Sequence, residues 1–209
     1  DSIYLDNNSA INKFKFDNDN TLVLEDTVYN FDIYKLEKPL KPGDSLGLAF
    51  TVKNKPNTIL RNNSSVVYNG TFINNFTLFP SLGYSGGELR DDKTREKYGL
   101  PPNELKPHPS DSSALGNTYI SRDSDWIDFE AVVSTSKDQI AIAPGYLQKE
   151  WLENDRRYFH YKMDSKILNF YAFNSARYEV LKDKWRDVNL EIYYHKGHEY
   201  NLDRMMKGM

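Results

Sequence analysis

The sequence predicts a mainly β fold, an antiparallel or mixed β-sheet sandwich with one or two short helices. Three observations carry this expectation: apolar residues recur with period two, the composition favours strands and turns, and helical patterning is sparse. Tyr and Phe number 15 and 11, and the polar remainder is rich in Asn, Asp, Ser and Thr, a mixture suited to half-buried strands and tight turns. A hydrophobic share of 39% over 209 residues is enough to build a core.

Taken in order, Tyr29, Phe31 and Ile33 alternate with Asn30, Asp32 and Tyr34, and Leu46, Leu48, Phe50 and Val52 alternate with Gly47, Ala49 and Thr51. Between them Pro42-Gly43 suits a type II turn, because Pro fixes φ and Gly accepts a positive one. The two runs are therefore expected to pair antiparallel. Residues 91–98 carry early acids and later bases and are closed by Gly99, the marks of a two-turn helix. Residues 100–122 hold Pro101, Pro102, Pro107 and Pro109 with little periodicity, and read as a long exposed loop inside one domain. From Trp126 onward, Ile127, Phe129, Ala131 and Val133 share a face, and this strand is expected to pair with 139–143 as far as the turn at Pro144-Gly145. Further strands are expected at 157–162, 167–173, 178–181 and 188–194, the short regular spacing of sandwiches and open sheets.

The chain opens at Asp1 without a basic and apolar leader pattern, and closes on a helical segment begun after His195. It reads as cut from something larger: a β domain over 1–195, then 196–209 as the start of a linker or helix into a further domain. A net charge of -3 gives no general attraction to a phosphate backbone, so nucleic acid is not an expected partner. No run approaches the roughly 18 apolar residues of a membrane helix, so this stretch by itself is expected to be soluble. The lack of Cys removes disulfides, thiol nucleophiles and Cys-ligated zinc. Sequons at Asn7, Asn62, Asn63, Asn69 and Asn75 are attributed to the abundance of Asn.

Few residues suggest chemistry. His195, His198 and Glu199 form the one cluster with a metal-like look, yet the order His-Lys-Gly-His-Glu is neither H-E-x-x-H nor its inverse. On an extended strand this spacing also sends the two rings to opposite faces. Asp125, Asp128 and Glu130 beside Trp126 raise a glycosidase reading, against which stands the commoner role of solvated strand charges. Gly86-Gly87 lacks the Lys and the full Gly-rich loop that cradle phosphates. No catalytic residue, metal ligand or cofactor contact is assigned.

The ordered segments Glu37-Lys38-Pro39-Leu40-Lys41-Pro42-Gly43-Asp44, Tyr68-Asn69-Gly70-Thr71-Phe72, Leu78-Phe79-Pro80-Ser81-Leu82-Gly83-Tyr84, Arg95-Glu96-Lys97-Tyr98-Gly99-Leu100 and Trp126-Ile127-Asp128-Phe129-Glu130-Ala131 are followed by 134–141, by 143–147 and by Ile192-Tyr193-Tyr194-His195. Together they resemble the N-terminal β-rich domain of the gluzincin, aminopeptidase-N-like zinc aminopeptidases, most closely the bacterial branch joined to an ABC transporter permease. Where the commoner peptidases carry an Arg before the Phe-Pro pair and an Asp and Pro after it, Phe79-Pro80 is flanked by Phe76-Thr77-Leu78 and Ser81-Leu82-Gly83-Tyr84. The resemblance implies a saddle-shaped β domain packed on a mostly helical catalytic domain that lies downstream and holds the zinc. Asn69 falls nearest the family's polar residue that lines the pocket for the substrate's first side chain, and is the substrate-wall candidate.

Three expectations of function follow. The first is a noncatalytic wall domain, membrane-associated through the rest of its protein, meeting its own catalytic domain and, at its wall, peptide substrate. Segments 68–84 and 188–194 are expected to form the docking surface, which would also give weak association between copies. The second is an autonomous β-sandwich module that binds carbohydrate or protein through its Tyr and Trp residues. An independent hydrolase, built on the sparse clusters above, is the third.

Overall fold

The structure, a computed structural model, describes residues 2–6, 11–53, 65–67, 69–83, 91–103, 107–114 and 126–209. It is mainly β, with several antiparallel sheets and few short helices. Two units divide the chain: Asp1–Asn54, Phe76–Ile127 and Leu168–Phe170 form one, and Lys55–Asn75, Asp128–Ile167 and Tyr171–Met209 form the other.

In the first unit β1 (Ser2–Asp6), β3 (Asn20–Asp26), β4 (Phe31–Leu36) and β8 (Ser81–Leu82) build an antiparallel sheet in the order β3-β4-β1-β8. Beside it β2 (Ile11–Phe16) pairs with β5 (Leu48–Val52). The expected pairing of β4 with β5 does not form. Asp26 Oδ1 accepts the backbone N–H groups of Val28 and Tyr29 at 2.9 Å, and Asn30 takes φ 56°, so a tight turn feeds β3 straight into β4. With β3 on one edge and β1 on the other, β4 has no edge left. The Pro42-Gly43 turn does form, with Asp44 N–H donating to Lys41 C=O at 2.9 Å and Gly43 at φ 93°. It bends the connection, and the bond from Asp17 N–H to Gly47 C=O at 3.0 Å then delivers β5 to β2.

The two sheets of this unit meet through aromatics. Phe14 and Phe16 on β2 lie 5.1 and 5.5 Å from the Tyr34 ring on β4, around the buried Leu5, Phe16 and Leu36. Apolar alternation makes this arrangement: one face of each strand leaves water, and the contact of two such faces gives a sandwich-like pair. Tyr29, placed by the sequence among the inward residues, sits in the turn and is exposed. The expected helix is α2 (Asp92–Lys97), following the short α1 (Asn75–Leu78) in the chain. Asp91 caps α2 by accepting Thr94 N–H at 2.8 Å, and Gly99 at φ 68° ends it. The described parts of 100–122 are mostly exposed, and Asp92 Oδ1 fastens their start through Asn103 N–H at 2.9 Å.

In the second unit β10 (Glu130–Ser136), β12 (Tyr146–Glu153) and β13 (Arg156–Lys162) form a sheet with β13 in the middle. A second sheet has the order β11-β15-β7-β6, from β6 (Val66–Val67), β7 (Gly70–Asn74), β11 (Ile140–Ile142) and β15 (Ala172–Ala176). The hairpin of β16 (Tyr178–Trp185) and β17 (Val188–His195) completes the strands, apart from β9 (Trp126–Ile127) and β14 (Ile167–Leu168), which stand where the chain passes from one unit to the other. The expected strand from Trp126 breaks after Ile127, and β10 pairs with β13, from Glu130 opposite Lys162 to Ser136 opposite Arg156, instead of with β11. Gln139 N–H donates to Ser136 C=O at 3.0 Å, and Thr135 Oγ1 donates to Gln139 Oε1 at 2.8 Å. That buried bond holds a turn which sends β11 into the other sheet. The expected 167–173 strand is likewise divided, by a tight bend in which Phe170 N–H reaches Leu168 C=O.

Phe159 at 2% exposure, Ala141, Tyr161, Ala176, Ile192 and Leu202 form the core of this unit. Tyr161 O–H donates to Ala141 C=O at 2.9 Å, tying the first sheet to the second. The chain then leaves β17 through a 3-10 turn at Glu199–Asn201 into α3 (Leu202–Gly208), whose Leu202 is buried. Within segment 196–209, residues 199–208 are thus helical.

Candidate functional site

Asn69 lies in the turn between β6 and β7, half-buried. Its Oδ1 accepts Arg177 N–H at 2.9 Å, and its Nδ2 stands 3.5 Å from His195 Nδ1, at the outer limit of a hydrogen bond. One side chain therefore links the β6–β7 turn to the corner between β15 and β16 and to the end of β17. Arg177 is itself held by an ion pair with Asp138 of the β10–β11 turn, and the Arg177 guanidinium holds the Asp138 carboxyl below the usual carboxylate range. The Asn69 sequon is folded into this node. Asn75 is buried too, with Oδ1 accepting Tyr171 N–H at 3.2 Å, whereas Asn7, Asn62 and Asn63 lie outside the described residues.

Next to the node runs an aromatic strip. The Tyr178 ring lies 5.9 Å from Tyr193 and 5.3 Å from His195, and His198 continues the strip 6.4 Å from each of His195 and Tyr200. The two His rings do not part to opposite faces as a continued strand would require. The strand stops at His195, and His198 N–H donates to His195 C=O at 3.0 Å, closing a turn that brings the rings together. Glu199 points elsewhere: its Oε1 accepts Gly197 N–H at 2.8 Å, which lowers its pKa. Among the described residues no group of three His, Asp or Glu side chains converges as a metal site requires, and the donor set here does not fit zinc.

The second cluster named from the sequence is dispersed. Asp125 lies outside the described residues, and Asp128 is exposed. Glu130 Oε1 accepts His160 Nε2–H at 2.7 Å while its Oε2 lies 3.2 Å from Lys162 Nζ. Those donors, His160 first, hold the Glu130 carboxyl below its usual range, opposite to the upward shift that a glycosidic general acid needs.

The sequence reading missed β12 and with it Trp151. On the outer face of the three-stranded sheet Trp151 stacks on Tyr158 at 5.1 Å with 14° between the rings, and Lys149 Nζ stands 5.2 Å over the indole. The indole is thus engaged by two neighbours within the chain. Its strand gave no alternation to read, since seven of its eight residues are exposed. A signal was present in Asn154-Asp155, which take φ 50° and 60° in the turn from β12 to β13, a pair suited to a two-residue hairpin loop.

No protein-family model matches the chain, and no curated protein matches it. No helix among the described residues is long and apolar enough to cross a membrane.

Proposed function

We propose that this chain is a noncatalytic scaffold and substrate-wall domain of an aminopeptidase-like, permease-linked bacterial protein that is membrane-associated through its other parts. It packs against a separate catalytic domain, which carries the zinc, and bounds the cleft where peptide enters. The observation that carries this reading is the apolar stripe of α3. Leu202, Met205 and Met206 share one side of the helix by their spacing, and Met209 follows as its C-cap. Leu202 is buried and Met206 half-buried, while Met205 and Met209 are exposed and Tyr200 before them is 82% exposed. A stripe wider than its own domain covers, rich in adaptable Met, suits a protein surface. Asn69, clamped by Arg177, has the fixed position that a pocket wall needs.

The test compares this chain with the same chain extended by about a hundred further encoded residues, the length of a small domain. Hydrogen exchange at 199–209 is expected to slow in the longer protein, and thermal stability to rise. Unchanged exchange there overturns the reading. The alternative, an autonomous binding module, is favoured by the outer face carrying Tyr146, Trp151 and Tyr158. Because Tyr158 stacks on the indole and Lys149 stands over it, that face suits protein contact better than sugar stacking.

A further inference from the structure

Strand β12 is an edge of its sheet: β13 takes one side, and among the described residues no strand takes the other. Its residues are exposed except for Trp151, and Leu152 reaches 69%. The register slips between Leu147 and Lys149, a bulge that leaves Gln148 without a partner on β13, and 149–153 then pair without interruption from His160 to Arg156. Cross-strand partners fix the faces. Lys149, Trp151 and Glu153 stand with His160, Tyr158 and Arg156, and Glu150 and Leu152 stand with Phe159 and Arg157.

We propose that β12 pairs antiparallel with β12 of a second copy, about a two-fold axis through Trp151 and perpendicular to the sheet. Such an axis keeps each face on its own side, so residues of like facing must oppose one another. Centring the axis on Lys149 or on Glu150 sets like charges opposite each other, which disfavours both registers. Centred on Trp151, the pairing puts Lys149 across from Glu153 twice, Glu150 across from Leu152 twice, and Leu152 diagonal to its copy. In this register the charges of Lys149 and Glu153 complement one another across the pair. Among the described residues neither Lys149 nor Glu153 has an ion pair within the chain, whereas Glu150 already has one with Arg157 at 2.7 Å. Pairing joins two three-stranded sheets into one and consumes the β12 edge, so association ends at the dimer.

Sedimentation of the chain from micromolar to millimolar concentration tests the proposal, with circular dichroism to confirm that each variant folds. The unaltered protein shows a monomer–dimer equilibrium. Lys149→Glu and Glu153→Lys each weaken it by about tenfold to a hundredfold, since two symmetric attractions turn into repulsions. Mixed one to one, the two variants associate again, because one then carries acid at both positions and the other base at both. A monomer at every concentration overturns the proposal. So do single variants that dimerise like the unaltered protein, or a mixture that stays monomeric.

Discussion

Replacing Tyr161 by Phe removes one oxygen from the core of the second unit, and with it the 2.9 Å bond that ties β13 to Ala141 of β11. Tyr161 is 6% exposed and Ala141 fully buried, so the carbonyl that loses this donor has little water to turn to. At neutral pH the change is expected to cost about 1–2 kcal/mol. The alkaline range gives a second, independent reading. Burial, then the charges of Glu191 and Glu150, push the phenol up to about 12, with Arg157 opposing. The folded value lies above the unfolded one, so the stability held by the neutral phenol is complete below the unfolded value and is lost as pH rises through the folded one. Linkage puts that loss near pH 11 at about 1.4 kcal/mol, and about 1 kcal/mol after allowance for screening by solvent. The Phe variant has no such group, so its deficit against the unaltered protein should shrink by about 1 kcal/mol between pH 7 and pH 11. Urea unfolding followed by far-UV circular dichroism at several pH values measures the difference directly. A deficit that stays constant or grows with pH would refute the assignment of the buried phenol.

Substitutions at three further positions probe the same unit. A Cβ added at Gly145 would lie 2.6 Å from the Lys162 carbonyl carbon at φ 102°, whereas at Gly197 the φ of 92° is similar and nothing stands within 4 Å. Gly145→Ala is therefore expected to cost about 3 kcal/mol or more and Gly197→Ala about 1 kcal/mol, and equal melting temperatures would contradict the close approach. Asn69→Ala should cost about 1–2 kcal/mol by leaving Arg177 N–H without its acceptor, and Asn69→Asp, which keeps an oxygen there, should cost less. Equal denaturation midpoints for all three proteins would remove Asn69 from the node.

The β class, the α2 helix and the Pro42-Gly43 turn were legible because each is set by neighbours in sequence. Choice of strand partner was not. Alternation reports which side of Phe31 or Ile33 turns inward, but β4 met β3 because Asp26 builds a turn over Val28 and Tyr29, an effect of one side chain outside the apolar pattern. β10 and β11 show the same limit, since both strands are read but join different sheets. For β12, exposure of both faces erased the alternation itself. Asn69 came from the family resemblance alone. Its partners lie 108 and 126 residues further along the chain, beyond any local signal.

The carboxylates of the described residues serve the fold in a common way. An acid–base pair needs two groups driven apart, one of them held protonated near neutrality. Among the described residues, those carboxylates whose pKa moves all move down: Asp91, Asp111, Glu130, Asp138, Glu191 and Glu199. Each has a structural cause that comes first. Thr94 and Ser113 donate to Asp91 and Asp111, His160 to Glu130, Arg177 to Asp138, Lys182 to Glu191 and the Gly197 amide to Glu199. These acids cap a helix, close turns and bridge strands, and each donor stabilises the ionised form. A carboxylate used in this way is a poor proton donor at neutral pH. The same bonds hold the helix cap, the turns and the strand ends of this chain in place.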